Sequence, residues 1–190
     1  MQNIAQIYEK CIPLVGKEYT LPLTANKGLP GHFLEDLMGI PHTPNPLDCA
    51  DGEVKVFPVK KLKRSGELAP KESIAITMLN KDELKSCDFH SSKCCKKMNR
   101  MLVIPYLREG DCIKFLMPRI IDLSSQEYAE LYSVLESDYN SIRQTFLESE
   151  VLKSETGTLL QNRTKGAKGS TSRAYYLRPE FAKQYIPLNL

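Results

Sequence analysis

Seven residues, Tyr128, Leu131, Tyr132, Leu135, Tyr139, Ile142 and Phe146, recur at spacings of three and four. That is the period of an α-helix, and polar and charged residues fill the positions between them. The segment 125–152 therefore reads as one long amphipathic helix. Ser124 or Ser125 is its expected N-cap, with acids close behind. A helix with one apolar face needs other elements to cover that face, so it constrains everything around it. The aromatic stripe is assigned to core and not to a cofactor. With 190 residues, 42% of them hydrophobic, the chain has enough material for a single packed domain over 1–190.

The rest of the chain supplies the partners. Residues 1–12 read as a short helix with Ile4, Ile7, Tyr8 and Cys11 on one face. A second helix is expected from Gly31 to Leu37, stopped by Gly39. Residues 41–48 carry three prolines and are irregular. Residues 53–59 alternate as a strand does, with Val54, Val56 and Pro58 on one face and Glu53, Lys55 and Phe57 on the other. Further strands are expected over 73–79, 101–107 and 112–117, the last two forming a hairpin across Arg108–Asp111. Residues 162–173 form a basic loop rich in Gly and Ser, and a short strand and a helical turn close the chain. This run of helices and strands predicts an α/β or α+β domain with a mixed sheet.

Composition excludes several classes. No apolar run reaches the roughly 18 residues of a membrane span. Glu9 and Lys10 precede any long apolar run, unlike a signal peptide. A cytoplasmic location with no membrane partner is expected, so the sequon at Asn162 would go unused. The net charge of +3 is too small to argue for nucleic acid, but its distribution is uneven. Lys60, Lys61, Lys63 and Arg64 form one basic run, and Lys93, Lys96, Lys97 and Arg100 a second. The segment from Arg163 to Lys183 holds a single acid, while acids concentrate in 127–155. A polyanion would meet the basic segments and avoid the acidic one. The six cysteines should be reduced in that compartment. Cys87, His90, Cys94 and Cys95 are zinc-type ligands, but their spacing fits no pair-and-pair pattern, so zinc is not expected.

One stretch carries chemistry. After the proline-rich loop comes Asp48, and the strand then presents Glu53 and Lys55 on one face, since alternate strand residues point the same way. Two carboxylates suit a hard divalent cation. Such a cation activates water and offsets charge building on phosphorus, and a neighbouring lysine adds to that stabilisation. This is what phosphodiester hydrolysis requires. Taken alone, the spacing is a weak motif, because alternating charges on a strand face are common.

Four blocks in order strengthen it. They are Lys27-Gly28 with Gly31, Leu34-Glu35 and Gly39; Asp48 with Glu53-Val-Lys55, a proline and a basic run; Lys97 with Arg100-Met-Leu-Val-Ile-Pro105; and Arg163-Thr-Lys165-Gly-Ala with Arg173-Ala-Tyr-Tyr176-Leu and Phe181. Together these blocks resemble the MutH family, which comprises mismatch-repair nicking endonucleases and related type II restriction endonucleases.

The resemblance implies a restriction-endonuclease-like fold, with a mixed β-sheet flanked by helices and a DNA cleft between two lobes. One lobe would span about 20–120, and the other the long helix and DNA-contacting segment, about 124–190. The resemblance also implies Mg²⁺-dependent cleavage of double-stranded DNA, with Mn²⁺ substituting and no organic cofactor. By position, Asp48 and Glu53 look like the metal ligands and Lys55 like the catalytic lysine. Glu35 resembles an additional active-site acid carried on a helix, and Lys97 a lysine near the scissile phosphate. Lys27, Gly28, Arg163, Lys165 and Tyr176 fall where the family contacts DNA, although Tyr176 also suits core packing. The interval from Asp48 to Glu53 is shorter than the family's, which leaves Asp48 or Asp51 to complete the metal pair.

The expected activity is restriction cleavage at a GATC-like site, leaving a 5′ phosphate, by a monomer or homodimer. The alternatives are a nickase that works with mismatch-repair partners, and a DNA-binding protein of the same fold without catalysis.

Overall fold

The computed structural model describes residues 1–24, 26, 28–41, 45–167 and 169–188. In chain order these form α1 (Ile4–Cys11), β1 (Glu18–Thr20), α2 (Leu29–Met38), β2 (Glu53–Lys61), β3 (Leu68–Pro70), β4 (Ile74–Met78), α3 (Lys81–Ser86) and α4 (Lys93–Met98). There follow β5 (Arg100–Glu109), β6 (Cys112–Phe115), β7 (Arg119–Asp122), α5 (Ala129–Ser149), β8 (Leu160–Thr164), β9 (Arg173–Leu177) and α6 (Pro179–Tyr185). No helix among them is long and apolar enough to cross a membrane.

The expected mixed sheet is present. β5 pairs in parallel with β2, from Glu53↔Met101 to Val59↔Leu107. Its other edge pairs antiparallel with β7 along the first half and with β6 along the second. β1 extends the sheet beyond β6, and β3 extends it beyond β2. The strands expected near 73–79 and 174–177 do not join it. They form a separate antiparallel sheet of three, in the order β4-β9-β8. Alternation identifies a strand but does not choose its partner, and β1, β3 and β7 are too short to show a period at all.

Side-chain alternation gives the large sheet two apolar faces. Val54 of β2 and Leu102 and Ile104 of β5 pack with α1 and α2. Phe57, Val59, Met101 and Val103 point the other way, into a core shared with α5, α6 and the smaller sheet. The α5 stripe is buried there as its period predicted, except for half-buried Tyr132, and each fully buried Leu or Ile contributes roughly 1.5–3 kcal/mol. The start of that helix differs from expectation. Ser125 opens a 3-10 turn, Gln126–Tyr128, and makes no side-chain cap. Asp122 takes both serine hydroxyls instead: Ser124 Oγ donates to its carboxylate at 2.5 Å, and Ser125 Oγ to its carbonyl at 2.9 Å.

The basic stretch 162–173, which the sequence predicts as loop, is strand at both ends, in β8 and at the first residue of β9, and the start of β8 is fixed by a buried carboxylate on α5. Asp138 is 4% exposed and accepts from Thr158 N, Thr158 Oγ1, Leu159 N and Leu160 N at 2.7–2.8 Å. Gly157 allows this close turn. Its φ is +90°, and a Cβ there would lie 1.9 Å from the Leu160 carbonyl oxygen. Asp138→Ala leaves these donors facing a hydrophobic core, so it should cost about 3 kcal/mol or more, read as a lowered urea midpoint. A change below about 0.5 kcal/mol, the range of an ordinary surface substitution, would contradict the role.

Candidate active site

Parallel strands begin at the same end of a sheet, so the residues just upstream of β5 lie beside the start of β2. Lys97, in the last turn of α4, comes just before β5 and reaches Glu53, the first residue of β2. Its Nζ donates to Glu53 Oε1 at 2.7 Å, and Lys55 Nζ donates to the same oxygen at 2.6 Å. Glu53 is only 3% exposed. Its second oxygen, Oε2, is buried and has no hydrogen-bond partner. A buried carboxylate oxygen without a donor costs free energy, and it is a ready ligand for a cation. The expected partners Glu53, Lys55 and Lys97 are thus brought together.

Asp48 is half-buried in the turn before β2, and its Oδ2 accepts from Val54 N at 3.0 Å. Cys49 lies next to it, 1% exposed. Burial first, then the charges of Asp48, Asp51 and Glu53, push its thiol up to about 11. Both oxygens of Asp51 are engaged elsewhere: Oδ1 accepts from Ile4 N and Oδ2 from Arg100 Nη1, both at 2.7 Å. Neither the Asp51–Arg100 pair nor the Ile4 contact has a local signal in the sequence, because each joins residues more than 40 positions apart.

Glu35 is half-buried on α2, the second helix, which packs against β2. Lys27 lies outside the described residues. Gly28, Arg163, Lys165 and Tyr176 come together around a cleft of about 540 Å³ whose floor is Val56–Pro58 of β2. The same strand thus runs from the carboxylate site into the cleft. Tyr176 is half-exposed to it, while its neighbours Tyr175 and Leu177 fill the core. Arg163, near the end of β8, and Lys165, just past it in the hairpin loop, are exposed. A second hollow of about 490 Å³ opens beside Lys97, with Leu47 on one side and Lys93 and Lys96 on the other.

Cys94 and Cys95 are buried on α4, where burial raises both thiols, Cys95 to about 11. Among the described residues, no group of three or more His, Cys, Asp or Glu stands placed to hold a metal. A cation at Glu53 and Asp48 would complete its shell with water and substrate oxygens, a coordination that suits Mg²⁺.

A family model described as DNA mismatch repair enzyme MutH matches residues 44–151. The matched span contains Asp48, Glu53, Lys55 and Lys97. Glu35, Gly28, Arg163, Lys165 and Tyr176 fall outside it. No curated protein matches the chain.

The surroundings of Cys49 are open to a direct check. At pH 8 its raised pKa and burial should keep it unalkylated, while half-buried Cys87 and Cys112 react with iodoacetamide. Mass mapping of labelled folded protein reads this out, and rapid labelling of Cys49 would contradict its placement.

Proposed function

The chain belongs to the MutH family, a family of DNA endonucleases, and on that premise we propose that it is a Mg²⁺-dependent nuclease cutting duplex DNA at a specific site. The observation that carries this reading is Glu53, a buried carboxylate with two lysines on one oxygen and none on the other. The donor set fits a hard divalent cation. Glu53 Oε2 and the Asp48 carboxylate would hold it, and Mn²⁺ would replace it. When bound, Mg²⁺ lowers the pKa of water and offsets charge on the phosphate.

The chain's own residues supply the rest. Lys55 and Lys97, each side chain 15% exposed, present ammonium groups where a phosphate would meet Glu53. In that partly water-excluded setting they stabilise the negative charge that develops during in-line attack. Glu35 is assigned the role of orienting water from the α2 side. Arg163 and Lys165 contact DNA backbone or base edges across the cleft, and Tyr176 packs against the duplex. Gly28 lets the backbone approach closely. Asp48 completes the metal pair in preference to Asp51, whose oxygens are engaged by Ile4 N and Arg100.

Restriction cleavage at a GATC-like sequence is the first specificity to test. A second reading, strand nicking with mismatch-repair partners, is favoured by the description of the matching family. Digestion of methylated and unmethylated plasmid with Mg²⁺, followed by sequencing of the ends, separates the two: restriction gives linear product and nicking gives open circles. Plasmid left intact across varied sequences and methylation states would sink the nuclease reading.

Glu53→Ala should abolish cleavage while the protein still shifts DNA on a gel. Lys55→Ala should lower kcat by about 100-fold or more. Arg163→Ala and Lys165→Ala should each reduce the salt dependence of binding by about one counterion, measured by titration at several ionic strengths.

A further inference from the structure

Residues 2–4 bond to both the end of α2 and the turn that enters β2. Gln2 Nε2 donates to the carbonyls of Met38 at 3.0 Å and Gly39 at 3.3 Å, at the C-terminal end of α2. The Gln2 carbonyl accepts from Ala50 N at 2.9 Å, in the turn between Asp48 and Glu53. Two residues on, Ile4 N donates to Asp51 Oδ1 in the same turn at 2.7 Å. The Ile4 side chain is fully buried against Gly52, where an added Cβ would come within 2.7 Å of Ile4 Cγ1 and 2.4 Å of the Arg100 carbonyl oxygen. Arg100, at the start of β5, closes the arrangement by donating to Asp51 Oδ2 at 2.7 Å.

These bonds join three elements: the C-terminal end of α2, the turn with Asp48, and the paired strand starts with Glu53. The turn is also closed internally, by Cys49 N on the Gly52 carbonyl at 3.0 Å and Val54 N on Asp48 at 3.0 Å. Gln2 and Asp48 line one hollow of about 420 Å³. Residues 2–4 lie outside the span matched to the family, while Asp51 and Arg100 lie within it.

We propose that Gln2, Ile4, Asp51 and Arg100 form a positioning clamp that holds the Asp48 carboxylate at the distance from Glu53 that a divalent cation requires. This rests on the reading of Asp48 and Glu53 as the metal pair. Asp51 is then a positioning residue. It takes no part in coordination, and its two charge-assisted bonds fix the short turn that carries Asp48. Cation affinity depends steeply on ligand placement, and partners behind the ligands typically change it by about 10- to 100-fold.

The test uses the full chain and Mn²⁺ as the probe. Binding is followed by the loss of the free-ion EPR signal without DNA, alongside the Mg²⁺ concentration giving half-maximal cleavage. Asp51→Asn keeps an acceptor for Ile4 N but loses the ion pair. It should weaken Mn²⁺ binding about 10-fold or more and raise the Mg²⁺ requirement in parallel, while KM for DNA at saturating Mg²⁺ stays unchanged. Gln2→Ala and Arg100→Gln should act in the same direction, and Arg100→Lys should restore most of the affinity. The double variant Asp51→Asn/Arg100→Gln should be no worse than either single one, since both break one bond. Leu135→Val, in the distant α5 core, is the control for lost stability.

Mn²⁺ binding by Asp51→Asn equal to the starting protein overturns the clamp while leaving the nuclease reading intact. Loss of affinity that merely tracks the unfolded fraction, with Leu135→Val losing it equally, overturns it too. A starting protein that neither binds Mn²⁺ nor cuts DNA removes the nuclease reading and the clamp together.

Discussion

β2 and β5 pair in parallel from Glu53↔Met101 onward, and this sets both strand starts at one end of the sheet. Among the described residues it is the only parallel pair. An antiparallel neighbour would have brought the far end of its strand beside Glu53. The parallel one brings its upstream helix, and with it Lys97. It also brings Arg100, which meets Asp51 in the turn that enters β2. One choice of strand direction therefore gathers two cations around the carboxylates from a segment more than 40 residues away.

The electrostatics follow from burial. Burying the Glu53 carboxylate at 3% exposure costs free energy, and Lys55 and Lys97 offset part of that cost at one oxygen. Removing a partner from such a group leaves an uncompensated buried charge, which is why these residues depend on each other. The second oxygen stays bare, at the end of a strand that continues as the cleft floor. Stability and the proposed chemistry meet in the same side chain: the lysines that make the buried carboxylate tolerable are those proposed to meet a phosphate.

The cleft has a separate support. Arg163 and Lys165 stand on a hairpin whose first strand starts at the Asp138 carboxylate of α5. The long helix thus does more than fill the core. It hands its position to the basic hairpin through four hydrogen bonds. Asp138 sits among the stripe residues yet is polar, and its sequence neighbours give no hint that backbone donors from 158–160 would meet it.

What the sequence by itself determined was local and periodic. The stripe on α5, the alternation through Glu53, Val54 and Lys55, the stop at Gly39 and the irregular prolines all follow from backbone geometry at short range. The carboxylate–lysine pair on β2 was legible for the same reason, since a strand's period fixes which side chains share a face. Lys97 and Glu35 were reachable only through resemblance. Whether Tyr175 or Tyr176 faces the cleft, which serine caps what, and what Asp51 holds were decided by tertiary structure alone. Each depends on a partner that no local pattern names: Asp122 for the serines, the β4 edge for the tyrosines, Ile4 and Arg100 for Asp51. Periodicity orients a side chain relative to its own backbone. Which distant backbone or charge it meets is set when the sheet chooses its neighbours.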